Sequence, residues 1–551
     1  MAARVNQEDV KAPGTLVVTI YAPEEDVELK VTPDLKPHVV TPDLKLHVSN
    51  TLLYYVDFGK GANRLGGSTL AQVYGQVGDV SPDVEDATLF KDAFNGIQTS
   101  IKQGHILAGH DRSDSGLIVT LLEMTFAGNC GFDVDLTFGG DKFTTKDVLE
   151  MLFAEELGFV FQVADGQHAP DVETSFSILE VPVMKLGKLT IDGVIKVNIN
   201  GENVLKDEMV DLRAVWEATS FEFENRQCNP ECVAQEQRSL RTRTDPSWTV
   251  TYEPQVTPER QLSICGLHRV VVLREEGRNG EREMFAAFHH AGFEVWDVTM
   301  SDLVHKRMVL DRRLRGAFVG GFTFADVLGS AKGWAGVVKF HPDVQAQFAA
   351  FKARGDTFSF GACNGCQLMT ILGWVTHPDT QALESDIRTS AAPRFVHTES
   401  GRHELRFVTV QIQASNAVMM CGMEGTCIGV WVSHGAGRAH FGHAKMQETY
   451  LATCAAAIRN VDESNHPTEA YPFNPNGSSH GIAGLVSTDG RHLCFMPHPE
   501  RCFLKYQWSY VPPALQAYPV SPWIRCQRFQ RHDGSPTQPL YGWDAAQGRL
   551  W

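Results

Sequence analysis

The chain has 551 residues, 43% hydrophobic and 21% charged, the balance of a soluble globular enzyme with room for roughly three or four domains. A formal charge of −17 removes the net basic face that nucleic-acid binding requires, and no apolar run reaches the ~18 residues of a membrane span. Twelve scattered cysteines point to free thiols in a reducing, cytoplasmic setting, and the opening MAARVNQEDVKAPGTLVV lacks the pattern of a signal peptide.

Residues 14–21 are β-branched and aromatic, bounded by Pro13 and Pro23, and read as a strand. A strand needs partners and few residues precede it, so the chain is expected to begin inside a domain. The hexapeptide VTPDLK occurs at 31–36 and again at 40–45; two copies are too few for a solenoid and read as a local duplication or a sequence artefact. From 51 to 216 both element types are expected. Strands are read at 52–57, 177–181 and 190–197, and helices at 68–76, 89–102, 116–126 and 147–156. They lack a clean βαβ rhythm, so the label is α+β. Residues 217–258 are polar, with Arg238, Arg241 and Arg243, and read as helix followed by a solvated linker.

Past His268 the rhythm changes. A short continuous apolar run at 269–274 has the composition of a parallel strand buried on both faces. A helix at 281–291, strands at 294–299, 316–321 and 357–361, and an apolar helix reaching Leu372 continue the alternation. The pattern predicts a doubly wound, mostly parallel sheet with ligands at the carboxyl ends of its strands.

One of those ends carries the chemistry. In Gly361-Ala362-Cys363-Asn364-Gly365 a strand turns sharply into a helix, and glycines flank a cysteine at a distance of two. This is a nucleophile elbow with sulfur for oxygen. The helix N-terminus lowers the thiol pKa, and the Asn364 N–H can hold an oxyanion. The alternatives are a buried core cysteine, or a redox or zinc pair with Cys366. Zinc would require a second matched pair, and Cys228 and Cys232 match poorly. A cysteine nucleophile needs a base. His498, between Pro497 and Pro499, is expected in extended backbone, where Glu500 two residues on points the same way and can orient the ring. A surface His–Glu pair is the alternative for that motif taken alone. Gly320-Gly321 ends an apolar strand, and Gly321 is a candidate second oxyanion donor, or else a plain turn.

GGFTFADVLGSAKGW, FGACNGCQLM, YPFNPNGS and MPHPER resemble the glutaminase domain of the phosphoribosylformylglycinamidine synthase family, a class I amidotransferase with a Cys-His-Glu triad. Upstream, RLGGSTLAQVYGQVGD, GHDRSDSGLIVTLLEMTFAGNCG and LFAEELGFV resemble the family's auxiliary, synthetase-like half. The resemblance implies four parts. They are a remnant of the auxiliary N-terminal subdomain (1–50), an AIR synthetase-like C-terminal subdomain (51–216), a helical connector (217–267) and the glutaminase domain (268–551). It implies Cys363 as nucleophile, His498 as acid and base, Glu500 as orienter, and glutamine as substrate. It also implies ATP and Mg2+ as cofactors, with Asp111 on magnesium and Ser113 on a nucleotide. Formylglycinamide ribonucleotide enters only with a first synthetase half that has no counterpart here, so the chain is expected to be a fragment or truncated product. Three positions depart from the family pattern: Ser115 for a glycine, Ala436 for a glutamate and Thr398 for an asparagine. The stretch after Trp523 departs as well. Two other readings stay open: a non-catalytic relic or interaction fragment, and a cysteine hydrolase acting on other substrates.

Overall fold

The structure is a computed structural model. It describes residues 2–5, 7–11, 18–23, 26, 29–37, 39–41, 44–46, 51–140, 142–166, 168–256, 269–310, 314–381, 392–523, 543–544 and 549–550. Two sheets organise it. The first has seven strands in the order 202–208, 194–199, 131–136, 183–190, 51–57, 158–164, 106–111. Only the pair 194–199 with 131–136 is parallel; the others are antiparallel, in keeping with an α+β fold. Helix Gly116–Gly128 packs on one face around Leu121 and Met124, and helices Ala87–Lys102 and Ala169–Ile178 cover the other around Ala93, Val172 and Phe176.

The second sheet has nine strands in the order 294–299, 269–274, 314–318, 359–362, 492–495, 482–486, 458–460, 404–412, 427–434. The first five are parallel, and the last four join by antiparallel pairing. The sheet is therefore doubly wound in its first part and meandering in the rest. The tight turn at 487–490 returns the chain beside its own strand, which a parallel crossover of a dozen or more residues cannot do. Apolar clusters cover both faces, one centred on Phe360 and Phe495, the other on Phe318 and Trp334.

Several local expectations change. Of the strand expected at 14–21, residues 14–17 lie outside the described residues, while Val18, Ile20 and Tyr21 are exposed and unpaired in any sheet. Residues 177–178 close helix Ala169–Ile178, because Phe176 points its ring into the core at helical spacing from Val172 and Ala169. The strand expected at 190–197 is two strands. Strand Val183–Thr190 turns at Asp192-Gly193 into Val194–Ile199 on the other side of strand 131–136, and the Asp192 carboxylate accepts from Val194 N–H at 3.0 Å. The two VTPDLK copies fold differently: Leu35 of the first is buried, whereas the second contributes to a small two-stranded ribbon, with 42–43 outside the described residues. The described part of the connector is helix to Ser239 and irregular chain after it, as expected, but its helices are packed rather than solvated. Helices Met209–Gln227 and Pro230–Ser239 lie against the C-terminal half, where Glu236 pairs with Arg406 at 2.7 Å and Glu224 pairs with Arg402. Among the described residues no helix is long and apolar enough to cross a membrane.

Candidate active site

Strand Ser359–Ala362 ends at Cys363, and helix Asn364–Ile371 starts immediately after it. Cys363 has φ 51° and ψ −108°, a conformation that costs an L-residue about 1–3 kcal/mol and persists only under external constraint. Its N–H donates to Phe495 O at 3.1 Å across the parallel pair, and its carbonyl accepts from Gln367 N–H at 3.0 Å. The flanking glycines are required by close approach. A Cβ at Gly361 would lie 2.6 Å from Met369 Sδ, and one at Gly365 would collide with the Phe318 carbonyl. The sulfur thus sits at the carboxyl end of the sheet, only 3% exposed as a residue.

Strand His492–Phe495 delivers His498 to the same place. His498 N–H donates to Trp431 O at 2.8 Å, and its Nδ1 lies 2.6 Å from Glu500 Oε1, both residues fully buried. The route differs from the expected extended alternation. Pro499–Arg501 is a 3-10 turn in which Arg501 N–H donates to His498 O at 3.1 Å, and this turn brings the carboxylate under the ring. Gly320 is the glycine nearest the reacting pair: a Cβ there would lie 2.7 Å from His498 Cε1 and 3.3 Å from Cys363 Cβ. Gly321, at φ 122°, is bridged to Arg278, whose backbone leaves no room for a side chain. Asn364 lies in the first helical turn, where N–H groups have no intrahelical acceptor.

A second imidazole, His434, was not singled out in the sequence. It ends strand Cys427–His434, is buried, and its Nε2 lies 2.6 Å from Asn476 Oδ1. His434 Nδ1 and His498 Nε2 are both buried without a nitrogen or oxygen partner, and both rings interact with the Cys363 sulfur. The signal in the sequence is the run Ser433-His434-Gly435-Ala436-Gly437, in which a histidine closes an apolar strand before a glycine turn. A buried relay holds the elbow to its surroundings. Thr323 Oγ1 donates to Asn364 Oδ1 at 2.9 Å, Asn364 Nδ2 to Gln367 Oε1 at 2.9 Å, and Gln367 Nε2 to Ala436 O at 2.7 Å. Thr398, buried nearby, donates from Oγ1 to Arg402 O at 2.9 Å and from N–H to Gly435 O.

The electrostatics follow from this packing. Burial pushes the Cys363 thiol up, but the charge of His498 and hydrogen bonding from His434 and His498 outweigh it and bring the thiol from 9.0 to about 6. Burial disfavours a charged His498, but Glu500 and Cys363 outweigh it and raise the ring from 6.5 to about 10. The pair is therefore a thiolate beside an imidazolium at neutral pH. A sulfur in that state is a nucleophile, and the adjacent ring can return a proton.

Residues 267–531 match the family described as the CobB/CobQ-like glutamine amidotransferase domain, and residues 52–200 match the AIR synthase related protein C-terminal domain. The probable phosphoribosylformylglycinamidine synthase, chloroplastic/mitochondrial, of Arabidopsis thaliana is 45% identical over 527 residues, covering 95% of this chain and 36% of its own length. The Homo sapiens phosphoribosylformylglycinamidine synthase is 43% identical over 534 residues, covering 95% of this chain and 39% of its own. Over 95% of its length the chain is thus homologous to part of the phosphoribosylformylglycinamidine synthases. It spans between 36% and 40% of the length of the synthases it matches. Among solved structures, PurLQS from Thermotoga maritima aligns at a TM-score of 0.33 and 21% identity, over 44% of this chain and 92% of that one.

The synthase resemblance also bears on Asp111 and Ser113, which lie far from Cys363 in the chain. Asp111 ends strand Ile106–Asp111 with an exposed carboxylate, 3.2 Å from His110 Nδ1. It borders a cavity of about 530 Å³ lined by Phe58, Phe90, Phe94 and Phe159. Ser113 follows, half-buried, its N–H 3.4 Å from Thr120 Oγ1. Asp111 is in no group of three close candidate ligands among the described residues, so these residues alone do not make a magnesium site. Ser115, at φ 67°, occupies a left-handed position that a glycine fills without strain.

Proposed function

We propose that this chain hydrolyses glutamine at Cys363 to supply ammonia. The ammonia converts formylglycinamide ribonucleotide to formylglycinamidine ribonucleotide in purine biosynthesis, an ATP-driven carbon–nitrogen ligation. The observation that carries the reading is a left-handed cysteine at a strand end, beside a buried His498–Glu500 pair 2.6 Å apart, inside a domain of the glutamine amidotransferase family.

The Cys363 thiolate attacks the side-chain carbonyl carbon of glutamine, and the oxyanion is met by N–H groups at Asn364 and the Gly320-Gly321 turn. The His498 imidazolium gives its proton to the departing nitrogen, the C–N bond breaks, and ammonia leaves a thioester. The neutral ring then takes a proton from water, whose oxygen attacks the thioester and releases glutamate. Glu500 fixes the tautomer and supports the ring's positive charge throughout.

The ligation itself needs a first synthetase half supplied from outside these 551 residues. ATP and Mg2+ would meet the present chain at Ser113 and Asp111, beside the aromatic cavity, with their other contacts coming from that half. A reducing, cytoplasm-like setting is part of the reading and rests on the free cysteines; the Arabidopsis relative is named for an organelle. The domain division at 50, 216 and 267 is likewise proposed.

The test is glutamine hydrolysis by the purified chain, alone and with an added synthetase half. We expect slow turnover that Cys363→Ala abolishes, and covalent labelling of Cys363 by a glutamine-analogue electrophile. Folded protein that neither turns over glutamine nor takes the label would leave the relic reading standing. Peptide hydrolysis without glutaminase activity would favour the third.

A further inference from the structure

The molecule carries a second cluster of ligand-type side chains, remote from Cys363. We propose that His105, His168 and Asp171 form a binding site for one divalent cation of the zinc class. Each offers one ligand atom, and these atoms all lie within 4.8 Å of one another.

The fold builds this cluster from two elements that are packed together. Helix Ala87–Lys102 ends in a left-handed turn at Gly104, and His105 N–H donates back to Ser100 O at 2.9 Å, which fixes the residue just before strand Ile106–Asp111. His168 is the N-cap of helix Ala169–Ile178, and Asp171 lies three residues on, one helical turn away on the same face. The two helices meet at Gly96, where a Cβ would come within 3.1 Å of Phe176 and Leu179. His105 and His168 thus sit on the short connections at the ends of two packed helices, and Asp171 on the first turn of the second.

The rings of His105 and His168 stack with centroids 4.8 Å apart and planes 24° from parallel, so one ring must turn before both in-plane lone pairs meet a single ion. A further observation points to a ligand. His105 Nδ1 is buried and makes no hydrogen bond, so a lone pair or an N–H there goes unsatisfied unless something binds it.

Donor chemistry sets the class of ion. Two imidazoles and one carboxylate suit Zn2+, Co2+ or Ni2+, whereas Mg2+ and Ca2+ want oxygen throughout. Bond lengths of about 2.0–2.2 Å require ligand atoms about 3.4 Å apart, so a pair at the 4.8 Å limit must close by about 1.4 Å. The exposed Asp171 side chain can swing to do so, and water completes a tetrahedron. The cluster stands at the start of strand Ile106–Asp111, while Asp111 stands at its other end, about 20 Å away at ~3.3 Å per residue. The two are separate sites.

Co2+ titration of the full chain in a Cys363→Ser background tests the proposal. We expect one ion per chain, with ligand-field absorption of a nitrogen–oxygen set and no thiolate charge-transfer band, and no competition from Mg2+. Asp171→Asn, His105→Ala and His168→Ala should each weaken binding by about tenfold or more. His289→Ala serves as the control and should not change it. Asp171→Asn alters only an exposed side chain, so it reads the site without threatening the fold. Absence of binding by folded protein, or binding equally tight in Asp171→Asn and His105→Ala, overturns the site.

Discussion

At Cys363 and His498 the same buried contact displaces two pKa values in opposite directions, and the consequences for pH can be worked out. The thiol is depressed to about 6 from 9.0, so its stabilisation is present above 9.0 and lost as pH falls through about 6. The ring is raised to about 10 from 6.5, so its stabilisation is full below 6.5 and lost as pH rises through about 10. The ion pair therefore spans the window between about 6 and about 10. Alkylation of Cys363 by iodoacetamide should reach half its plateau rate near pH 6, and a midpoint close to 9 would contradict the paired state. A second residue-scale prediction concerns Ser115, whose φ of 67° strains any residue with a Cβ. Ser115→Gly should raise the unfolding free energy by about 1 kcal/mol, read from the denaturant midpoint.

At the scale of elements, the helix that begins after Cys363 is held by contact with the neighbouring strand Leu314–Phe318. Gly365 sits so close to Phe318 that a methyl group would strike its carbonyl. Gly365→Ala should push the helix off the sheet, cost more than about 2 kcal/mol, and slow Cys363 alkylation at pH 7 by disturbing the elbow. Unchanged stability in a thermal melt would refute this. The segment beyond Gly321 is strained too, with Phe324, Ala325 and Asp326 all near φ 50°, and it is tied to the elbow by Thr323 and Asn364. These elements also show where local reading worked. The strand–Gly–x–Cys–x–Gly–helix unit is specified by its own residues, so its existence was legible. The turn at Asp192-Gly193 carried an equally local signal that the run of β-branched residues obscured. Over its described part, 18–21, the strand expected at 14–21 does not form, because pairing, not propensity, makes a strand.

Across the whole molecule, the two sheets communicate through the helices at 209–239. Fully buried Glu404 is bonded by Arg406 at 2.8 Å and by the Tyr471 hydroxyl, and Arg406 also holds Glu236 at 2.7 Å. Arg406 thus links a connector helix to a buried carboxylate in the C-terminal sheet. Arg406→Met should leave Glu404 underpaired, cost about 3 kcal/mol, and loosen the connector from the sheet. Limited proteolysis near residues 227–230 should then be faster, and an unchanged cleavage rate would mean that the apolar contacts alone hold the halves together. A cavity of about 1750 Å³ lies beside this junction, lined from both halves by residues such as Lys36, Arg243, Trp248 and Trp508.

The sequence by itself determined what depends on neighbours along the chain: the cysteine elbow, the parallel strands at 269–274 and 294–299, and the proximity of His498 to Glu500. Tertiary structure decided what depends on residues far apart in number. It turned the expected extended His498–Glu500 pair into a 3-10 turn, brought His434 from a distant strand to the sulfur, and converted a polar connector into a packed junction. The physical reason is that backbone preference acts over a few residues, while burial, ion pairing and sheet neighbours are set only when the chain has folded back on itself.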